Sequence, residues 1–311
     1  MADKATILLH LGTHKTGSTS LQYNFGQNRK ALREHGVNYL GPDRAYPNLY
    51  SAFLTDPMEF FWNRNSKLTL EQISERDTKT LAQLEKALAR NTAPWVVISN
   101  EFLAMLSADE LRQMRDRFAP YGDVRAVYVY RELLDWISSN TQEMAKAGAA
   151  VQRSPVGAAV QRIADFPEKI AGVFGREKTH FLRFEDCKGI GICSHFLKTF
   201  GLPDFPAMGL KETRENVSVS SPAVEALFAY NRLHPRGSET RDRAEVERLK
   251  ALPGPRYKAE GFSRDEVALY AKAYETAVDL GLRIAAHDAL PRRAEPSRWR
   301  GRLARLLGRL G

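Results

Sequence analysis

The chain has 311 residues, 43% of them apolar and 27% charged, a balance that excludes disordered, collagen-like and disulfide-dense classes of protein. The 46 Lys and Arg residues outnumber the 37 Asp and Glu residues, and the resulting formal charge of +9 predicts an anionic partner such as a phosphorylated cofactor, nucleic acid or an acidic membrane. The two cysteines, Cys187 and Cys193, are too few for a disulfide framework and lack paired metal-ligand spacing, which predicts reduced, buried thiols in a cytoplasmic protein.

Short apolar runs alternate along the chain with longer helical patterns. Strands are predicted at residues 7–11, 36–42, 94–99, 124–130 and 179–184. Helices are predicted at residues 18–35, 70–90, 108–118, 133–146, 156–174, 191–200, 221–232 and 263–284. Residues 43–66 are interpreted as an irregular excursion and residues 233–262 as a long surface loop. Strands separated by crossover helices predict an α/β fold with a central parallel sheet and flanking helices.

The domain organisation and the location follow from the same pattern. Residues 1–290 are predicted to form one domain, followed by a basic amphipathic tail over residues 291–311. The apolar run at residues 6–11 is too short for the core of a signal peptide, and no run reaches the roughly 18 apolar residues of a membrane span. We therefore expect a soluble protein of the cytoplasm.

A glycine-containing loop joins the first predicted strand to the first predicted helix, with the sequence Gly12-Thr13-His14-Lys15-Thr16-Gly17-Ser18-Thr19-Ser20. Backbone N–H groups and the helix dipole converge at such a junction, which predicts an anion site. Gly12 and Gly17 have the spacing of the nucleotide-triphosphate P-loop, but in that motif Lys directly follows the second Gly. Here Ser18 follows it and Lys15 lies inside the loop, which favours a shorter anion. The alternative is a loop that only turns a strand into a helix.

Residues 10–22 resemble the 5′-phosphosulfate-binding loop of the sulfotransferase family, whose members use 3′-phosphoadenosine 5′-phosphosulfate (PAPS) as donor. The resemblance covers about residues 5–220 and implies a P-loop nucleotide-hydrolase-like sulfotransferase fold of the bacterial carbohydrate type. It implies that Lys15 is catalytic and stabilises the bridging oxygen. The residues implied to bind the donor in this loop are His14, Lys15, Thr16, Gly17, Ser18 and Thr19. For His14, a role in shaping the turn is the alternative.

The family's 3′-phosphate signature is an Arg at the end of a later strand and a Ser eight residues on. Arg131 and Ser139 have this spacing, and the resemblance implies that both bind the donor. The planar fork of an arginine matches phosphate oxygens, whereas Ser139 lies about two turns into the next helix. Leu133 stands where the family often has Pro. The alternative is that Arg131 only pairs with a carboxylate such as Glu132 or Asp135.

The family places its general base, a His or a Glu, just after its third main strand, and Glu101 stands there. A carboxylate at the carboxyl end of a central strand lies where open α/β sheets bind ligands, and apolar neighbours would raise its pKa. The resemblance thus implies that Glu101 removes the acceptor's proton. The alternative is a helix-start carboxylate that faces water. The histidines have no metal-ligand spacing, and no metal is predicted.

Two segments bear on the acceptor, which the resemblance implies to be a hydroxyl of a carbohydrate or glycolipid. Aromatic residues in the 43–66 excursion would stack on sugar rings or cover an aliphatic chain, unless they only pack against the fold. In the tail, one helical face would carry Trp299, Leu303, Leu306, Leu307 and Leu310, with arginines over the rest. That pattern is typical of a helix on an anionic membrane surface, and predicts peripheral contact through residues 292–311. A frayed tail and a helix docked on its own domain are the alternatives.

Two other functions stay open at this stage. One is a P-loop kinase acting on a small molecule, against which stand Ser18 at the position of the motif lysine and the lack of a Mg²⁺ carboxylate set. The other is a basic nucleic-acid-binding protein. The net charge allows it, but much of the excess falls in the tail and no recognition motif appears, so no nucleic-acid partner is predicted.

Overall fold

The computed structural model describes residues 4–150, 153–213, 218–286 and 290–291. Its strands are β1 (Thr6–His10), β2 (Val37–Tyr39), β3 (Trp95–Ser99), β4 (Asp123–Tyr130) and β5 (Thr179–Arg183). They form one five-stranded parallel sheet in the order β2-β3-β1-β4-β5. The predicted fold class, α/β with a central parallel sheet and flanking helices, is confirmed.

The described residues include both long helices and short helical turns. The helices are α1 (Ser18–Gln27), α2 (Arg29–Glu34), α3 (Pro47–Ser51), α4 (Phe61–Arg64), α5 (Leu70–Ala89), α6 (Ala108–Phe118), α7 (Leu133–Lys146), α8 (Val156–Ile163), α9 (Asp165–Phe174), α10 (Ile192–Thr199), α11 (Ser221–Leu233), α12 (Arg243–Lys250) and α13 (Arg264–Asp279). The helices predicted at 70–90, 108–118 and 133–146 agree with α5, α6 and α7. No helix in the described ranges combines the length and apolarity needed to cross a membrane.

Two predicted helices are divided in the structure. The helix predicted at 18–35 breaks at Asn28, whose φ of −113° and ψ of 24° are not helical. The Asn28 side chain donates to the Asn24 carbonyl at 2.7 Å, so it competes with the helix for a backbone acceptor. The helix predicted at 156–174 breaks at Ala164, because Pro167 lacks an N–H and its ring would clash with the Ile163 carbonyl in a continuous helix.

Two segments predicted to lack regular structure contain helices. Residues 43–66 form α3 and α4 with a short 3₁₀ turn between them, so the prediction of an irregular excursion is wrong. The predicted loop at 233–262 contains α12, whose N-terminus is capped by the Asp242 side chain accepting from the Ala244 amide at 2.8 Å. Val246 and Leu249 of α12 pack against α11, an apolar pair that the Arg-rich composition obscured.

The core lies on both faces of the sheet. Ile7 and Leu9 of β1 face one layer and Leu8 faces the other, as the period of two in a strand requires. Helices α5, α6 and α9 cover the first face, and α1, α2 and α10 cover the second. Because all the strands are parallel, the residues that follow β1, β3 and β4 emerge at one edge of the sheet.

The division into a domain at 1–290 and a tail stays a prediction. The tail at 292–311 lies outside the described residues. Cys187 and Cys193 are both free and buried, as predicted.

Candidate active site

A cleft of about 880 Å³ opens at the carboxyl edge of the sheet. The predicted site residues in its wall are His14, Lys15, Gly17, Ser18, Thr19, Glu101, Arg131 and Ser139. Thr16 is the predicted residue that does not line the cleft: it is fully buried, and its hydroxyl donates to the Thr13 carbonyl. The structure therefore gathers three segments that are distant in sequence into one cavity.

The path of the loop depends on its two glycines. Gly12 has a φ of 92°, and a Cβ atom there would lie 2.6 Å from the Glu101 carbonyl oxygen. Only glycine permits this approach, which brings the loop against the backbone that carries Glu101. Gly17, with a φ of 84°, precedes α1, and Lys15 between them also has a positive φ, of 67°. The loop thus passes through three residues with positive φ before the helix begins.

The carbonyls at the crown of the loop are held by β4 and α7. The Trp136 indole N–H donates to the His14 carbonyl at 3.0 Å, and Arg131 Nη1 donates to the Lys15 carbonyl at 2.9 Å. In a trans peptide the next N–H points the opposite way, so the amides of Lys15 and Thr16 are turned away from these donors. The first N–H groups of α1 also have no acceptor within their own helix, and together these amides can bind an anion.

Lys15 ends in an ion-pair cluster that the sequence analysis missed. Its Nζ lies 3.0 Å from Glu143 Oε2, and Lys146 Nζ lies 3.0 Å from the same oxygen. Burial raises the pKa of Glu143, but the two lysines outweigh it and hold that pKa below its usual value. Glu143 and Lys146 follow Ser139 at intervals of four and seven residues. The helical period counted from Ser139 is therefore the signal that would have found them.

Arg131 is buried at the end of β4. Its guanidinium lies 4.8 Å from the centre of the Phe184 ring, and its Nε atom has no hydrogen-bond partner among the described residues. Of the two carboxylates considered as its partner, Glu132 accepts from Arg183 at 3.0 Å. The ion pair of Arg131 is instead with Glu185, where Nε and Oε1 are 3.8 Å apart. Burial lowers the pKa of Arg131.

Glu101 faces His14 across the entrance to the loop. The distance from His14 Nε2 to Glu101 Oε1 is 3.9 Å. Burial raises the pKa of Glu101, opposed by Lys15, whereas burial, Arg162 and Lys15 together lower the pKa of His14 to about 4. His14 is thus neutral at pH 7 and forms no ion pair with Glu101. With a side chain only 19% exposed, Glu101 is not a carboxylate that faces open water.

The cleft is also lined by charged groups that no sequence motif had indicated. They are Asp135, Arg162, Lys188, Glu212 and Arg256. Glu212 binds the N-terminus of α10 by accepting from the Ile192 amide at 2.9 Å. These residues come from separate helices and loops, and no spacing in the sequence connects them to the loop. Among the residues that the structure describes, no group of three or more His, Cys, Asp or Glu side chains is placed to hold a metal ion.

Aromatic and apolar residues flank the Glu101 side of the cleft. Phe61 and Met105 line it and are 47% and 46% exposed. Trp62 is 41% exposed, and its ring centre lies 6.0 Å from that of Phe102, the neighbour of Glu101. Phe60, in contrast, is buried. The predicted alternative of packing against the fold therefore applies to Phe60, while Phe61 borders the cleft.

Comparison with solved structures finds similarity to a protein of known fold. No family model matches the chain, and no curated protein matches it. A sulfotransferase from Alicyclobacillus acidocaldarius, known from its crystal structure, is similar over 81% of this chain and 98% of its own, with 13% sequence identity and a TM-score of 0.41.

Proposed function

We propose that the protein is a sulfotransferase that moves a sulfuryl group from PAPS to a hydroxyl of an acceptor. The observation that carries this proposal is the meeting of three groups in the wall of one cleft. They are a lysine inside a glycine loop, a buried arginine at the end of the neighbouring strand, and a partly buried carboxylate at the end of the strand on the other side.

The residues present fit the two phosphate groups of the donor. The loop amides and the N-terminus of α1 would bind the 5′-phosphosulfate. Arg131 has a buried Nε without a partner, and a 3′-phosphate oxygen would supply one. Ser139 lines the same cleft, and its hydroxyl would add a further donor. Lys15 would leave Glu143 for the oxygen that bridges sulfur and phosphorus.

Glu101 would act as the general base. As the acceptor oxygen forms its bond to sulfur, the bond from sulfur to the phosphate oxygen breaks and the acceptor's proton passes to Glu101. The raised pKa of Glu101 makes it a stronger base than an exposed glutamate. Lys15 and the loop amides would stabilise the charge that develops on the leaving phosphate.

The acceptor would enter from the side where Phe61 and Met105 border the cleft. Exposed rings next to Glu101 support a carbohydrate or glycolipid acceptor, because a sugar ring has an apolar face that stacks on an aromatic side chain. The arginine-rich sequence at 292–311 supports peripheral contact with an anionic membrane on its cytoplasmic face.

Calorimetric titration with 3′-phosphoadenosine 5′-phosphate (PAP), against ATP and AMP, tests the donor. We expect tight binding of PAP alone, weakened roughly tenfold to a hundredfold in Arg131→Ala because a charge-assisted hydrogen bond is lost. Arg125→Ala is the matched control, since Arg125 lies on the same strand but pairs with Asp123 at 2.8 Å. ATP binding as tightly as PAP would replace this proposal with a small-molecule kinase, which a chelator should then inactivate.

A further inference from the structure

We propose that Arg162 forms a second anion site in the cleft and selects an acceptor that carries an oxyanionic group beside the hydroxyl to be sulfated. This inference rests on the proposed function, which supplies the reaction and the place of the acceptor. Neither the loop nor Arg131 defines the charge of the acceptor, whereas an anion site at Arg162 would.

The head of Arg162 is held in a fixed position near the end of α8. Its guanidinium carbon lies 4.3 Å from the centre of the Trp136 ring, and Nη1 donates to the Ala158 carbonyl one turn earlier in the helix. The Tyr128 hydroxyl donates to the Arg162 carbonyl at 2.8 Å, which ties the end of α8 to the sheet. A guanidinium that is already oriented loses little side-chain entropy when it binds a ligand.

Unlike Lys15 and Arg131, Arg162 has no acidic partner among the described residues. Lys15 pairs with Glu143, and Arg131 lies 3.8 Å from Glu185. Within the described ranges Arg162 makes no salt bridge, and its Nε is buried without a hydrogen-bond partner. A partly buried cation without a counter-ion is costly, and a ligand oxyanion would offset that cost.

Contacts place Arg162 on the side of the cleft where Glu101 lies. Trp136, on which it stacks, donates to the His14 carbonyl, and the His14 ring is 3.9 Å from Glu101. Arg162 is also the strongest charged influence on the pKa of His14. An oxyanion bound there would lie close to the hydroxyl that Glu101 deprotonates, rather than at the nucleotide's 3′-phosphate.

The test titrates inorganic sulfate into protein saturated with PAP and, separately, with PAPS. We expect saturable sulfate binding in both complexes, weakened roughly tenfold to a hundredfold by Arg162→Met and less by Arg162→Lys, with the Kd for PAP unchanged. Arg153→Met is the control. Arg153 also stacks on an aromatic ring at 4.3 Å, but it pairs with Glu266 at 2.6 Å, and this variant should bind sulfate normally.

Three results would overturn the inference. Absence of saturable sulfate binding is one, and binding that Arg162→Met leaves unchanged is another. Binding to the PAP complex that PAPS abolishes is the third, since the sulfate would then occupy the place of the transferred group. If the wild-type protein does not bind PAP, the proposed function fails separately, and comparing sulfate binding to nucleotide-free wild type and Arg162→Met still decides the anion site.

Discussion

Burial has opposite consequences for the two titratable groups at the entrance to the loop. It disfavours the charged form of each, so it raises the pKa of Glu101 and lowers that of His14 to about 4. The pair is therefore a neutral imidazole beside a carboxyl group whose proton affinity is raised. Of the two, Glu101 is the group whose ionisation should control the reaction between mildly acidic and neutral pH.

Under the proposed function, the pH dependence of sulfuryl transfer should identify Glu101 as the base. Since only the ionised carboxylate accepts a proton, kcat/KM should rise with pH through a midpoint above the ordinary value of about 4.3 for glutamate. Glu101→Gln should remove this acid limb and lower kcat roughly a hundredfold to ten-thousandfold. The measurement is a pH–rate profile with any acceptor that the protein sulfates.

His14→Asn provides the companion variant for that profile. Because His14 is already neutral above about pH 4, the acid limb should keep its midpoint in this variant, whatever happens to the absolute rate. An acid limb that persists in Glu101→Gln but disappears in His14→Asn would reverse the assignment and make the imidazole the base.

The site residues that could be predicted from the sequence lie next to strand ends, whereas those that were missed lie on helices. Lys15, Glu101 and Arg131 each directly follow a strand or lie in the loop after one, so local sequence pattern was enough to locate them. Glu143 and Arg162 reach the cleft from helices. Glu143 shares a face of α7 with Ser139, whereas only tertiary packing decides that Arg162 on α8 borders the cavity. Thr16 was predicted to bind the donor because it lies in the loop. The path of the backbone instead buries Thr16 and directs its hydroxyl to the Thr13 carbonyl.

Among the elements, α9 supports the segment that follows Glu101. Lys169 of α9 donates to the carbonyls of Ala104 at 2.8 Å and Leu106 at 2.5 Å, at the short 3₁₀ turn after β3. From the other side, the Ala104 amide donates to the Leu11 carbonyl at 3.1 Å. Helix α9 and the residue that follows β1 thus hold the same turn, which carries the apolar wall next to the candidate base.

Lys169→Met should loosen this turn while keeping most of the apolar stem. We expect the free energy of unfolding to fall by about 1–3 kcal/mol, because two carbonyls lose their donor. A lower kcat with unchanged Kd for PAP would follow from displacement of Glu101. Urea unfolding and calorimetry provide the measurements, with Lys178→Met as the control for removing a more exposed lysine.

The difference in stability between the wild type and Lys169→Met should depend on pH. Burial lowers the pKa of Lys169 to about 8, below the unfolded value of about 10.4, so the unfolded chain binds more protons between these limits. The stability of the wild type relative to Lys169→Met should therefore rise with pH across that window. A difference that is flat, or that falls with pH, would contradict the burial of this ammonium group.

Prediction of the elements succeeded where amphipathic periodicity and end signals agree. Helix α6 was predicted at the residues where it occurs, and Ser107 and Glu110 form a capping box at its start. Failures came from single residues that interrupt a continuous pattern, such as Pro167 in the first turn of α9, which separates that helix from α8. The α12 helix was missed for the opposite reason, since its apolar face has few residues within a charged segment.

At the scale of the whole molecule, parallel topology explains how distant residues share one cleft. The ends of β1, β3 and β4 are adjacent because β1 pairs with both β3 and β4. The residues that pair with β1 follow it in the sequence by about 90 positions in β3 and about 120 positions in β4. This arrangement could be predicted from alternating strands and helices. The sequence pattern did not specify the order of the strands, which depends on how the helices pack across both faces.

The distribution of charge over the molecule predicts a separate role for the tail. Residues 292–311 contain seven arginines and one glutamate, a net charge of +6, while the whole chain has +9, so residues 1–291 retain +3. Near an anionic membrane each basic residue contributes about 1 kcal/mol to binding, and the effect weakens as salt screens it. Most of the attraction to such a surface should therefore reside in these twenty residues.

Deletion of residues 292–311 should abolish sedimentation with vesicles of phosphatidylcholine and phosphatidylglycerol and leave PAP binding unchanged. The matched variant replaces Leu303, Leu306, Leu307 and Leu310 with Ser, which keeps the charge and removes the apolar contribution. Intermediate binding by this variant, lost at high salt, would indicate that charge and apolar burial act together, as for a helix on a membrane surface. Sedimentation of the truncated protein with the vesicles as efficient as that of the full chain would contradict the prediction, and the membrane contact would then have to involve the remaining +3 of residues 1–291.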